Sequence, residues 1–369
     1  MQSNLKNVTP PAKPHAKLPE KMTYRGGLAH AMTSAMADHD NTIIIGQGVT
    51  DFKEIFGTLP GLFKQYGPKR VIETPLSEEG VTGICIGAAL NGLYPINTHI
   101  RADFGLLAFN QIINLAAKYK YMFGGLYEVP MLIRFVIGRS WGQGAQHSQS
   151  LQSMLAHVPG LVVVMPSTPE AIVSAYAHAV GTHKGPVISF EHRLMYDLEF
   201  TTADHLPGRH PFDSRMEREG KDVTIVGTSI MVLEARRAAA HLSQHGIDCE
   251  IIDLNCISHS NHEMILNSVK KTGHLLVADT SWESHGVVAE VCRIVAEKDP
   301  ALLRQPVKGL GMTPTPCPTA KALEDIYYPT HRDVVDAAAA LVKGKSDHGI
   351  PLPEAKAATD FYKHFRGPF

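Results

Sequence analysis

The sequence predicts an α/β fold of two doubly wound units, a larger one followed by a smaller C-terminal one. Three observations point there. The chain has 369 residues, 44% of them hydrophobic and 19% charged, which is more than one ordinary core needs and enough for two. Short runs of β-branched residues alternate with segments whose apolar positions recur every three or four residues, the pattern of parallel strands joined by helices and covered on both faces. Between Tyr196 and Lys221 that rhythm lapses into His, Pro and charged residues, and then it starts again.

Taken in order, residues 1–22 form an arm. Pro10, Pro11, Pro14 and Pro19 stand there with several lysines and no arginine, which reads as extended chain rather than an Arg-rich transit peptide. Thr23 is placed to cap a helix whose stripe is Leu28, Ala31, Met32, Ala35 and Met36. Strands are expected at 42–45, 94–99, 130–137, 160–165 and 186–191, with helices near 106–119, 149–157 and 168–180. The first unit thus spans 23–196 and a linker spans 197–221. The second, 222–343, repeats the pattern, with strands at 222–226, 249–253 and 275–278 and helices near 230–244, 261–270, 286–298 and 332–342. A tail covers 344–369.

A formal net charge of −1 gives no electrostatic basis for binding nucleic acid or an anionic membrane. Five scattered cysteines without a C-x-x-C pair suggest neither a disulfide framework nor zinc, and fit a reducing compartment. No apolar run approaches the roughly 20 residues that cross a bilayer, and the first 22 lack a secretory core. A cytoplasmic protein is expected.

The stretch Thr74-Pro-Leu-Ser-Glu78-Glu-Gly80 ends an extended segment and opens a Gly- and Ala-rich helix. Ser77 is a candidate cap, and Val81, Ile84, Cys85 and Ala88 recur with helical spacing. Small residues permit close packing, so the first turn is expected to lie deep. Taken alone, Glu78 and Glu79 do no more than complement the positive end of the helix. Phe104 alone is a core aromatic, and His147, one of 20 histidines, a satisfied or surface residue.

Together with Ala102-Asp103-Phe104, Gln146-His147-Ser148-Gln149, Phe190–Tyr196 and Thr313-Pro-Thr-Pro316, that stretch resembles the β subunits of the thiamine-diphosphate-dependent 2-oxo acid dehydrogenases, the decarboxylating component. The resemblance runs from about Tyr24 to about Val342. It implies a pyrimidine-binding domain followed by a transketolase-like C-terminal domain. By motif match, Glu78 hydrogen-bonds the aminopyrimidine nitrogen N1′ and favours the imino form that takes the proton from the thiazolium. A buried carboxylate suits such work, since burial favours the protonated form while a helix N-terminus favours the ionised one. The sequence leaves that balance open. By the same match Phe104 stacks on the pyrimidine, and His147 donates a proton or guides the acyl acceptor.

The family's Gly-Asp-Gly segment for diphosphate and Mg²⁺ is absent from the sequence. The resemblance therefore places Mg²⁺ and the diphosphate on an α-type partner in an α2β2 assembly, with no metal ligand on this chain. It implies a 2-oxo acid substrate and a lipoyl acyltransferase as the downstream partner. Three departures stand out. Gly46-Gln-Gly-Val49 replaces an acidic pair, Gly181-Thr-His-Lys-Gly185 lacks the ligands of a monovalent-cation loop, and Asp253–His259 lacks an Arg-Thr. The alternatives are a split non-oxidative acyl or ketol transferase and a non-catalytic scaffold subunit.

Overall fold

The computed structural model describes residues 18–138, 142–202 and 210–363. Most of the expected N-terminal arm, part of the expected linker and the end of the tail lie outside them.

In the first unit the strands are β1 (Lys21–Thr23), β2 (Thr42–Gly46), β3 (Val71–Glu73), β4 (Tyr94–His99), β5 (Met131–Ile137), β6 (Val162–Val164), β7 (Pro186–His192) and β8 (Glu199–Thr201). β2 to β7 form one sheet in the order β3-β2-β4-β5-β7-β6, and every pairing is parallel. Every residue of β2, β4, β5 and β7 is buried, which is why these strands read as apolar runs rather than as alternating ones. β1 and β8 form a separate antiparallel ribbon, so the end of the arm is tied to the start of the expected linker.

Helices cover both faces. Thr23 caps the Tyr24–Asp38 helix by accepting from Gly26 N, and the predicted stripe of Leu28, Ala31, Met32, Ala35 and Met36 is buried. This helix packs on the Pro169–Gly181 helix so closely that a Cβ at Gly27 would lie 2.8 Å from Pro169. The opposite face holds the Glu78–Leu90 helix, whose Val81, Cys85 and Ile86 cluster with Ile45, Ile133 and Phe135. The helical stretch expected near 106–119 is present, though not as a regular α-helix. A 3₁₀ turn (Leu106–Ala108) leads into a π-helix (Asn110–Ala116), a wider coil often found at functional sites.

Four polar groups close the centre of this sheet. Arg134 on β5 donates to Glu191 on β7 through Nε at 2.6 Å and Nη2 at 2.9 Å. The hydroxyls of Tyr176 and Tyr196 also donate to Glu191. Arg134 and Glu191 are both fully buried.

The second unit has β9 (Arg215–Arg218), β10 (Val223–Gly227), β11 (Cys249–Asp253), β12 (Leu275–Trp282) and β13 (Lys308–Met312) in the order β13-β12-β10-β11-β9. Only β9 is antiparallel, and it lies inside the stretch expected to be linker. One apolar cluster runs from Ile44 and Tyr176 of the first unit to Ile225 and Val335 of the second. The tail folds back on the second unit: His241 Nε2 lies 2.7 Å from the Pro351 carbonyl, Tyr362 donates to Glu234, and Arg237 stands 4.2 Å over the Phe361 ring. Among the described residues no helix is long and apolar enough to cross a membrane.

Candidate functional site

Four adjacent strands of the first sheet, β3, β2, β4 and β5, are each followed by a segment that carries one residue of interest: Glu78, Gln47, Phe104 and His147. The crevice outside the carboxyl ends of a parallel sheet is where α/β folds bind ligands.

Glu78 and Glu79 begin the Glu78–Leu90 helix and complement its positive end. Two expectations need correction here. Ser77 is the N-cap by position but makes no side-chain capping bond, and the first turn is not deep, since Glu78 is half-buried while Glu79 and Gly80 are exposed. The buried side of the helix is Val81, Thr82, Cys85, Ile86 and Ala89; Ile84, expected in the stripe, is 63% exposed. A buried polar trio accounts for this rotation. Asn97 donates to Thr82 Oγ1 at 3.0 Å and lies 3.1 Å from His99 Nε2, which turns the Thr82 flank onto β4.

The loop after β2 approaches the carboxylate of Glu78, with Gln47 Nε2 donating to Oε1 at 3.3 Å. Glu73, at the end of β3, holds that loop by accepting from Gly48 N at 2.6 Å and from Thr50 N and Oγ1 at 3.0 and 3.1 Å. The turn needs glycine at position 48, where φ is +68°. Glu79 is engaged elsewhere, accepting from Asn110 and Gln111 of the π-helix. Of the neighbouring pair, Glu78 has the freer carboxylate.

Phe104 and His147 meet edge to face, their ring centroids 5.2 Å apart at 82°, an arrangement that aromatic quadrupoles favour. Phe104 remains 41% exposed, so the ring keeps a surface on which a ligand can lie. Asp103 holds the two segments together by accepting from Gln149 N at 3.1 Å and Nε2 at 3.0 Å. Burial raises the Asp103 carboxyl above its ordinary range, and the bonds from Gln149 pull it back. Behind Phe104, Gly105 lies against Phe135 so tightly that a Cβ there would fall 2.2 Å from the ring. Among the described residues Glu78 makes no side-chain hydrogen bond to His147; its side-chain partner is Gln47.

The His147 loop ends at the seam between the two units. Gln152 donates to both oxygens of Asp279 at 3.1 Å, and Ser150 Oγ lies 2.9 Å from Thr280 Oγ1. A cleft of about 540 Å³ opens beside the loop, lined by Ala145, Ser148 and Gln149 on one side and Trp282, Met312 and Tyr327 on the other. Among the described residues no group of three or more His, Cys, Asp or Glu is placed to hold a metal ion. Sequence reasoning missed Glu73, Asp103 and Gln149 as supports of the site; the last two already stood inside the motifs flanking Phe104 and His147.

Family models for the transketolase pyrimidine binding domain and the transketolase C-terminal domain match residues 20–198 and 213–334. A rice mitochondrial pyruvate dehydrogenase E1 component subunit β-2 is 36% identical over 331 residues, 89% of this chain and 88% of the relative. The chain belongs to the β-subunit family of the thiamine-diphosphate-dependent 2-oxo acid dehydrogenases. Its bacterial relatives include the pyruvate dehydrogenase E1 component subunit β of Rickettsia conorii, 35% identical over 86% of this chain and 97% of the relative. The human mitochondrial β subunit is 35% identical over 86% and 89%. A split-gene transketolase, described as an inactive β4 tetramer, shares the fold with a TM-score of 0.70 over 87% of this chain and 98% of that one, at 22% identity.

Proposed function

We propose that this β-type subunit forms the pyrimidine side of a thiamine-diphosphate site whose diphosphate and Mg²⁺ are held by an α-type partner, and that the assembled enzyme decarboxylates a 2-oxo acid, pyruvate first among candidates, and passes the acyl unit to a lipoyl group. The observation that supports it most is the delivery of Glu78, Phe104 and His147 from neighbouring strand ends to one rim of the sheet. These residues suit the cofactor's organic half. A carboxylate with one amide donor retains acceptor capacity, and a half-exposed phenyl ring accommodates a flat heterocycle.

When bound, thiamine diphosphate supplies the electron sink that lets carbon dioxide leave. Glu78 accepts and shares a proton at the pyrimidine nitrogen, and Gln47 orients its carboxylate. Phe104 places the ring, and His147, braced against Phe104, directs a proton or the incoming acceptor. The unit from 23 to 196 provides these groups, and the unit from 222 to 343 serves assembly.

The test is reconstitution with the α-type partner, Mg²⁺ and thiamine diphosphate, assayed against a panel of 2-oxo acids with a lipoyl acceptor. The expected result is turnover that needs both chains, with a preference for short-chain substrates. Tight Mg²⁺-dependent cofactor binding by this chain alone, measured by calorimetry, would overturn the two-chain reading.

A further inference from the structure

Strand β12 begins with the apolar run Leu275-Leu-Val-Ala278 and then turns polar, with Asp279, Thr280 and Ser281 before Trp282. It pairs with β10 as far as Ala278, and its pairing with β13 is interrupted between Ala278 and Trp282. These three residues therefore leave the ladder where the second unit meets the His147 loop. All three are buried, Asp279 completely. Among the described residues the Asp279 carboxylate has no cationic partner and is held by neutral donors alone. The Thr228 hydroxyl donates to one oxygen, the Ser281 hydroxyl to the other, and the Gln152 amide to both at 3.1 Å.

A carboxylate only accepts, and that sets the direction of each bond that follows. Gln152 must turn Nε2 toward Asp279, which leaves its Oε1 to accept from Ser150 Oγ at 2.7 Å. Ser150 has then given its one proton, so across 2.9 Å it accepts from Thr280 Oγ1. Thr280 closes the ring by accepting from Gln152 Nε2 at 3.1 Å. Ser150 and Gln152 follow His147 in the chain, and between them and His147 stands Gln149, which donates to Asp103 of the first unit. The loop is thus tied to two carboxylates, one from each unit.

Adhesion between the units does not call for Asp279. One apolar cluster already runs through both, and backbone bonds join them elsewhere, from Ile257 N to Val163 O at 3.0 Å and from Met165 N to Asn255 O at 2.6 Å. An apolar residue would hold two surfaces together at lower cost than a buried charge without a counter-ion. What the buried acceptor adds is a single arrangement of the amide and hydroxyls around it.

We infer that Asp279 is a positioning residue: through Gln152 and Ser150 it sets the His147 loop against Phe104, which gives the second unit a part in the reaction beyond assembly. Its effect on turnover rests on the proposed role of His147; its effect on loop position does not.

The test uses the assembled α- and β-type chains. Asp279→Asn sets an amide against the Gln152 amide, Gln152→Glu sets two carboxylates face to face, and the double exchange restores one of each in reversed order. Deuterium uptake by the backbone of residues 145–152, read by mass spectrometry, reports the loop whatever the enzyme catalyses. Uptake should be faster in each single variant and return toward wild type in the double exchange. Turnover with a lipoyl acceptor should fall by about 10²-fold in Asp279→Asn, the loss that a misplacement on the order of 1 Å produces, and recover in the double exchange. Thiazolium C2 exchange, which depends on Glu78, should stay at the wild-type rate. Unchanged loop uptake in Asp279→Asn overturns the proposal, as does a parallel fall in C2 exchange and turnover, which marks general damage. Ser150→Ala, which leaves the Asp279 carboxylate fully bonded, gives the same readouts if Asp279→Asn does not assemble, and unchanged uptake there overturns the proposal as well. Absence of C2 exchange in the wild type would instead remove the cofactor reading and leave the loop measurement to decide.

Discussion

Asp103 accepts two hydrogen bonds from Gln149, one from the backbone and one from the side-chain amide, and so fixes the distance between the Phe104 and His147 rings. Asp103→Ala should release the loop, and a misplacement on the order of 1 Å can cost about 10²-fold in rate. Asp103→Asn keeps an acceptor oxygen and should recover most of the activity. Steady-state kinetics of the assembled enzyme, with urea unfolding as a control, separates loop placement from general instability. Equal activity in Asp103→Ala and the wild type would remove the positioning role.

Gln47→Glu would place a second carboxylate beside Glu78, where an amide now donates at 3.3 Å. Two such groups cannot both ionise freely, so the pair should titrate in two steps, the second displaced upward by about 1 pH unit or more. The readout is the pH profile of thiazolium C2 hydrogen–deuterium exchange in the reconstituted complex. An unchanged profile would mean that Gln47 does not sense Glu78 in solution.

Much of the fold was legible because its strands are buried on both faces and therefore stand out as apolar runs. Tyr94–His99 matches its expected bounds, and Met131–Ile137 differs by one residue. Helix faces were less legible. The Glu78–Leu90 helix turns Ile84 outward because Thr82 must meet Asn97 and His99, a polar demand that hydrophobic spacing cannot express. The approach of Gln47 to Glu78 depends on a loop held by Glu73, and loop paths leave little periodic trace. The expected linker reads as loop because β8 and β9 within it are only three and four residues long and partly exposed.

The choice between neighbouring glutamates is open to direct test. Glu79 accepts from Asn110 and Gln111, so Glu79→Gln should cost no more than the 0.3–1 kcal/mol or so of a helix-end charge. Glu78→Gln should lower C2 exchange by about 10²–10⁴-fold while leaving assembly intact. Wild-type exchange in Glu78→Gln would sink the assignment, and a defect confined to Glu79→Gln would transfer it.

Burial pulls the His99 ring down to about 4 from an ordinary 6.5. The native state thus holds His99 neutral, with Nε2 facing the Asn97 amide, whereas the unfolded chain takes up a proton once the pH falls below about 6.5. This contribution is present above that value and is lost progressively down to about pH 4, by about 2–4 kcal/mol in all. His178 is shifted in the same direction by burial and by His210, so it adds to the slope. Urea unfolding at pH 7 and pH 5 should show a smaller loss for His99→Gln than for wild type. Parallel losses would place the sensitivity elsewhere.

Arg134→Met should cost about 3–5 kcal/mol, because Glu191 would be left as a lone buried charge with only the tyrosine hydroxyls to hold it. Arg134→Met combined with Glu191→Leu should recover part of that loss. Chemical denaturation of the wild type, Arg134→Met, Glu191→Leu and the double variant, read as a double-mutant cycle, gives the coupling. A single-variant cost below about 1 kcal/mol would show that water reaches the site.

The same pair constrains the order in which the protein comes together. Arg134 and Glu191 lie on strands separated by the Gln152–Ala156 and Pro169–Gly181 helices and β6, so neither charge finds its partner in a locally formed fragment. A half-assembled sheet with one of these strands inserted would enclose a bare ion, and such states are penalised relative to both the open chain and the finished core. The pyrimidine-side unit should accordingly close in one step without a stable halfway form, so a truncation or pause between the two strands leaves a chain exposed to proteolysis rather than a folded subdomain.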